Sequence, residues 1–503
     1  MDENERFLRG DQWGGIASNG LPTPVFNIIK RITSYLVSSI LYYRYSVRYI
    51  DRSLPYSDSS PRKKKLASML DLMNRTSSYR WEIENTDSLL RDALMDAIVS
   101  GNGMIYCYWD ESIDGGNGFM GDVKCETVDS TNVFVSDVNL DDVQSQDYII
   151  LSGRTSVKKL RAEAMRAKLD PDLIRKIVSD DDTESMAGDF ATREMQDADA
   201  GKATYLIKFT RDSEGFVCWE KSVKNTVISS CRTGMKLYPL ISFAWDRVKN
   251  SFYGSSPISE LIQNQKYVNK AYAMMMKHMM DTAFSKVIYD KRLIPEWSNE
   301  VGEAIGVMSG GDVSNAVTTV GVGEMQDNFL EIIESVIDYT KRLTGANDTV
   351  LGETEPTNTS AILALREMSE VSLDGIRSSF TRAVKDLALV RFAIMKEYWA
   401  PERPVIFAES GEDICKTIDF SIFDGDLIDV AVDTGASRRF SQSLLINTLN
   451  SLLASGHITL KEYLERVPEG MVSDRESLIA RVERSENSGE KDAPSGRKDD
   501  VSI

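Results

Sequence analysis

Apolar residues recur at helical spacing in several long stretches of this chain and alternate with polar ones in others. Phe26, Ile29, Ile32, Leu36, Ile40 and Tyr43 follow the helical period, and residues 25–50 read as one amphipathic helix. A second helix is predicted from about Pro61 to Tyr79, and a third from near Glu82 to a stop at Gly101, with Leu89, Leu90, Leu94 and Ile98 facing inward. "GMIYCYWDESIDGGNGFMGDVKCETV" alternates on both sides of a Gly-rich turn and predicts a hairpin. "NVFVSD" and "DYIILSGRTS" predict strands, Val157–Val178 a helix, and "ATYLIKFTRDSEGFVCWEKSVKNTVISSC" a strand–turn–strand. The acidic run between them, 179–202, predicts a loop. Residues 1–256 therefore read as an α+β region.

The pattern then changes. A long helix is predicted over 257–284, with Ser256 as cap, Pro257 in the first helical position and Glu260 near the positive end. Ile258, Leu261, Gln265, Val268, Tyr272, Met275 and Met279 recur in steps of three and four, a heptad-like seam that mixes an amide with apolar residues. Such a seam suits a wet contact between helices, and methionine suits sliding neighbours. A strand ("KVIYDKRL"), a short helix and a second strand ("NAVTTVGVG") follow, and then a helix over about 325–344 that ends in Lys341 and Arg342. A polar loop holds Asp348, Glu353 and Glu355 without a basic residue. A helix of Ser360 to Ala400, roughly 60 Å long, carries Gly375 as a candidate kink. Strands, a small helical end and a disordered tail over 485–503 complete the chain.

Composition narrows the chemistry. The 503 residues are 42% hydrophobic and 27% charged, ordinary for a globular protein of several parts, with a formal charge of −18 that opposes non-specific gripping of nucleic acid. Five widely spaced cysteines and two histidines, His278 and His457, favour neither a disulfide framework nor a zinc or Ser/His/Asp site, and fit a reducing cytoplasm. No cofactor motif occurs: no P-loop is present, and "GNGMIY" lies between a helix and a strand, the wrong order for a dinucleotide fingerprint. "DESIDGGNG" begins like a calcium loop but has Gly121 where the bidentate glutamate belongs. The start is charged without an apolar run, so no secretory signal is expected, and no stretch suits a membrane span. Asp424, Asp426 and Asp429 cluster as in the carboxylate site of a metal-dependent nuclease, although the solvated side of an edge strand explains them as well. Segment 25–80 is basic and tyrosine-rich, which fits nucleic acid or an acidic patch on another copy or partner.

A long helix, a small β-α-β piece, a returning helix, an acidic loop and a very long helix would form a hairpin that cannot bury its own faces, and this calls for lateral neighbours in a ring. With "RFLRGDQW" (6–13), "LPTPVFNIIKRI" (21–32), "FYGSSPISELIQNQKYVNKAYAMMM" (252–276), "TGANDTVLGE" (344–353) and "GDLIDVAVDTGASRRFSQSLL" (425–445), the chain resembles the portal proteins of tailed bacteriophages over roughly Glu5 to Arg484. The resemblance implies a portal-type α+β fold: a wing (1–256), a first stem helix (257–284), a clip (285–324), a second stem helix (325–344), a tunnel loop (345–358), a long wing helix with returning strands (359–434) and a short helical crown (435–484). It implies a homo-oligomeric ring of about twelve copies at a capsid vertex of the virion, assembled in the host bacterial cytoplasm. Such a ring passes double-stranded DNA without catalysis or cofactor. Its expected partners are the terminase large subunit, the head–tail adaptor, and the major capsid and scaffolding proteins, and no membrane is involved. In that setting the seam residues are expected to be stem subunit contacts. Asp348, Glu353, Glu355, Lys341 and Arg342 are expected to face DNA, and Lys286, Lys291, Arg292 and Trp297 of the clip to face motor and adaptor. About twelve chains at −18 each would carry roughly −216, and repulsive walls let a polyanion slide. A smaller head–tail adaptor ring is the other structural reading.

Overall fold

The structure is a computed structural model that describes residues 2–15, 17–42, 44–52, 61–115, 118–180, 201–224, 226–282, 286–294, 296, 317–320, 328–344, 371, 373–399, 401–409, 412–423, 427–433, 448–467, 478, 479 and 482. Helices and antiparallel sheets are mixed throughout, as the α+β reading expects. Contacts divide the chain into two compact units, 1–42 with 47–432, and 43–46 with 433–503.

In the larger unit, α1 (Asp2–Arg9) and α2 (Ile28–Ile40) precede a strand, β1 (Ser46–Asp51). Next come α3 (Pro61–Ile83), α4 (Thr86–Ser100) and the long hairpin β2 (Asn102–Asp114) and β3 (Met120–Thr127). β2 lies between β3 and β9 (Leu240–Ala244). A five-stranded meander holds β4 (Val133–Val135), β5 (Tyr148–Ser156), β6 (Lys202–Arg211), β7 (Val217–Val223) and β8 (Thr226–Arg232) in chain order. Alternation sends Ile149, Leu151, Phe209 and Val217 inward against Met104, Tyr238 and Phe252. α5 (Val157–Arg166) and α6 (Pro171–Arg175) cover a second cluster of Leu160, Ala164, Ile174, Ala203 and Ile228.

Two glycines at the junction of α4 and β2 permit close backbone approach. Gly101 ends α4 at φ +94°, its N–H on the Ala97 carbonyl, and a Cβ there would lie 2.4 Å from the Gly254 carbonyl oxygen. A Cβ on Gly103 would lie 2.3 Å from the Ala93 carbonyl oxygen.

α7 (Pro257–Thr282) and α8 (Asn328–Leu343) flank the short pair β10 (Lys286–Tyr289) and β11 (Val317–Val320), which are antiparallel with Lys286 opposite Val320. α9 (Asp374–Trp399) buries Phe380, Val384, Leu387, Phe392 and Trp399. The Phe380 ring meets Phe243 of β9 edge-on at 5.2 Å, and Phe392 and Trp399 do the same with Phe423 and Phe420. β12 (Glu402–Glu409) and β13 (Glu412–Asp419) form a hairpin, and β14 (Ile428–Asp433) pairs with β1. In the smaller unit, a helix over Leu460–Arg466 starts at a capping box of Thr459 and Glu462, and His457 sits in the turn before it, as the sequence predicts.

Several expectations need correction. Residues 25–50 are not one helix: α2 ends at Ile40, and the aromatic, β-branched alternation of 46–51 becomes a strand. The helix expected over Val157–Val178 breaks at Lys168 (φ +57°), and Asp170 caps a fresh turn that starts with Pro171. The strand–turn–strand over 203–231 is three strands, and β9 was not anticipated. Gly375 lies in the first turn of α9 after a turn at Leu373, so it does not kink the middle of the described helix. The loop over 181–200, the short helix after Ile294, residues 345–370 and the tail 485–503 lie outside the described residues.

Candidate functional site

The paired helices α7 and α8 hold most of the residues singled out in the sequence. Ser256 opens α7 as expected: its Oγ accepts from the Ile258 N–H (3.2 Å) and donates to the Ile98 carbonyl (2.5 Å). Along one line of the hairpin Val268, Ala271 and Ile333 are buried together, with Tyr272, Met275, Phe329, Val336 and Ile337 packed around them. Asn264 Nδ2 donates to Thr340 Oγ1 at 3.2 Å, which fixes the antiparallel register.

A second face of α7 is covered by the N-terminal segment, and Gln265 is its centre. The Gln265 Oε1 accepts from the N–H groups of Ile28 (2.9 Å) and Ile29 (3.4 Å), the open N-terminus of α2. Its Nε2 donates to the Phe26 carbonyl (2.7 Å) and to Asn269 Oδ1 (3.0 Å), while Asn269 Nδ2 donates to Gln12 Oε1 (2.6 Å). These amides are fully buried within one chain. The expected subunit seam therefore divides. Ile258, Leu261, Gln265 and Val268 are buried in the chain's own packing and are not open to a neighbour, because α1, α2, α4 and α8 pack against α7. Tyr272 and Met275 are half-buried beside α8, and Met279 is exposed.

The faces left open are different ones. Tyr267 and Met274 form one exposed stripe on α7, and Ile332, Tyr339 and Leu343 form another on α8, the last two each 66% exposed. At about 100° per residue, each stripe lies roughly a quarter turn from the packed line, and the antiparallel arrangement puts both on one side of the hairpin. The outer edges carry opposite charge. Lys270 stands with Gln263 on the exposed edge of α7 away from α8, beside Lys266, which pairs with Glu3 (2.7 Å), and Lys277, which pairs with Asp281 (2.8 Å). Glu331, Glu334 and Asp338 stand on the far edge of α8, where with Tyr339 and Arg342 they line a shallow depression. The Asn264–Thr340 bond sets Lys270 about level with Glu334 and Lys266 about level with Asp338. These stripes follow the same three-and-four spacing in the sequence, and periodicity alone does not tell an open apolar line from a buried one.

Of the other expected residues, Lys341 and Arg342 occupy the last turn of α8, half-buried and exposed, where cations suit the negative helix end. Lys291 and Arg292 are exposed in the turn after β10, where the Arg292 N–H is held by Asp290 Oδ1 (2.8 Å). Lys286 contributes backbone to β10. Asp348, Glu353, Glu355 and Trp297 lie outside the described residues.

The carboxylate cluster loses its last member as a metal ligand. Asp429 is buried in β14 and accepts from Lys385 Nζ (2.8 Å) and Arg52 Nε (2.8 Å), so both carboxylate oxygens are taken by cations. Burial pushes this carboxyl up, but the bonds from Lys385, the Val430 N–H and Arg52 outweigh it and hold the group at about 2. Asp424 and Asp426 lie outside the described residues, and among those described no group of His, Cys, Asp and Glu is placed to hold a metal ion. Asp429→Asn is expected to destabilise the protein by about 1–3 kcal/mol at neutral pH. The depressed carboxyl contributes stability above its unfolded value, near 4, and loses it as pH falls toward 2. The gap between wild type and variant in urea midpoint should therefore shrink as pH falls from about 5; a gap that stays constant with pH would contradict the assignment. The basic segment 25–80 is explained in part the same way: Arg52, Lys65 (3.0 Å to Asp419) and Arg80 (2.9 Å to Asp122) pair with carboxylates of this chain.

No curated protein matches the chain. The family model of phage P22-like portal proteins does match it, over residues 1–438. That match spans α1 to β14, including the paired helices and both of their charged edges, and the chain belongs to the P22-like family of phage portal proteins.

Proposed function

We propose that this chain forms a closed ring of about twelve copies at a capsid vertex, and that double-stranded DNA enters and leaves the capsid through it. In this reading 257–284 and 325–344 are the stem, and 285–324 is a clip that docks the terminase large subunit and then the head–tail adaptor, with Lys286, Lys291, Arg292 and Trp297 as contacts. Residues 345–358 are a tunnel loop that brings Asp348, Glu353 and Glu355 toward DNA, with Lys341 and Arg342 at its base. Residues 1–256 and 359–434 form the wing that meets capsid and scaffolding proteins, and 435–484 the crown. The ring is a conduit and no reaction is assigned to it.

The observation that supports this reading is the paired-helix hairpin. One side is apolar and uncovered, and its two outer edges are oppositely charged at matching heights. A cyclic ring repeats one heterologous contact, so the acidic edge of α8 in one copy meets the basic edge of α7 in the next at the same level. Electron-microscope class averages of the purified protein are expected to show closed rings with a central opening. Deletion of 346–358 is expected to leave those rings intact and to lower the yield of packaged genome. Particles that stay monomeric at high concentration would overturn the ring, and an unchanged genome yield would overturn the loop assignment alone.

A further inference from the structure

Two cysteines face each other across the β2–β3 hairpin. Cys107 is directly opposite Cys125 in the antiparallel register, and their sulfurs lie 3.0 Å apart. The Cys107 N–H donates to the Pro239 carbonyl on the other side of β2, so the pair is a non-hydrogen-bonded one, the closer of the two cross-strand spacings. At that spacing the α-carbons fall within the range a disulfide bridges. Cys107 is fully buried and Cys125 is half-buried. Two residues along the same face of β2, Trp109 stacks on Tyr398 of α9 at 4.8 Å, so the thiols sit beneath that helix. No feature of the channel reading uses them.

We propose that Cys107 and Cys125 are a redox-active dithiol, a modification site that a small disulfide such as oxidised glutathione converts to a cross-strand disulfide. Cys125, the more accessible thiol, attacks as thiolate and forms a mixed disulfide while one glutathione thiolate leaves. Cys107, as thiolate, then attacks the Cys125 sulfur and expels the second. Each cysteine gives up its proton, one sulfur–sulfur bond forms as one breaks, and the two electrons lost by the protein appear in two molecules of reduced glutathione. The electrostatics favour this order. The hydrogen bond from Cys107, aided by the Arg391 guanidinium, holds the Cys125 thiol below its ordinary value, whereas burial pushes Cys107 well above its own. The product staples β2 to β3 beneath α9 and is released by a thiol reductant.

The test is a non-reducing tryptic map of the full-length protein after incubation with oxidised glutathione. Cleavage after Lys124 places the two cysteines in different peptides. Wild type is expected to yield a linked Cys107–Cys125 pair, with the free forms of both peptides falling by about tenfold or more, and dithiothreitol should restore them. In Cys107→Ala the second step is removed, and the glutathione adduct is expected to remain on Cys125. Should that variant not fold, the wild-type map decides by itself. Modification confined to the exposed Cys231 and Cys415, with Cys107 and Cys125 still free, would overturn the proposal whether or not rings form.

Discussion

Glu334→Lys combined with Asp338→Lys is expected to leave the chain folded and to abolish ring assembly. Both side chains point away from the packed line of the α7–α8 hairpin, so the exchange disturbs no core contact within the chain. In a ring they would face Lys270 and Lys266 of the adjacent copy. An exposed ion pair contributes only about 0.2–1 kcal/mol, but replacing attraction by repulsion at two positions shifts each interface by about 1–3 kcal/mol. A closed ring carries that change at every junction. Sedimentation velocity should therefore move from one fast species to the monomer, and raised salt should restore part of the ring by screening. Adding Lys270→Glu to the same chain reverses the position that faces residue 334 and should recover part of the assembly. An undiminished ring in low salt from the first double variant would show that these edges do not meet.

Much of the architecture is legible in the sequence because local rules suffice for it. Pro257 after a serine cap, Gly101 at a helix end and the Gly-rich turn between β2 and β3 each announce a boundary through backbone preference alone. Residues 46–51 misled because the helical period of 26–43 runs into them; only pairing with β14, hundreds of positions away, settles them as a strand. The candidate site was half legible. Periodicity placed Ile258, Leu261, Gln265 and Val268 on one buried line, and it cannot say whether the cover is another molecule or another segment of the same chain. Here the cover is α1, α2, α4 and α8. The charged edges need the register between α7 and α8, a tertiary quantity that one hydrogen bond, Asn264 to Thr340, supplies. The facing cysteines were invisible for a related reason: 107 and 125 become opposite only once the hairpin register is known.

Gln265→Leu is the variant that separates the two meanings of the buried line, and its expected cost falls on folding. Leucine fills a similar volume but supplies neither donor nor acceptor. The Ile29 N–H would lose its partner, and the Phe26 carbonyl and the Ile28 N–H would keep only their bond to each other (2.8 Å). A buried group left unsatisfied costs about 1–3 kcal/mol, and a loss in that range is expected. Asn27 still caps α2 through its bond from the Lys30 N–H (3.0 Å), which keeps the loss from being larger. Gln265→Glu separates donor from acceptor. Its carboxylate still accepts from α2 but sets an oxygen against the Phe26 carbonyl and Asn269 Oδ1, so it should be no better than leucine and should improve as the carboxyl is protonated at low pH. Urea unfolding of the dissociated protein reads both effects as a lower midpoint with unchanged slope. If Gln265 instead met a neighbouring copy, Gln265→Leu would weaken assembly while the midpoint of the separated chain stayed where it was.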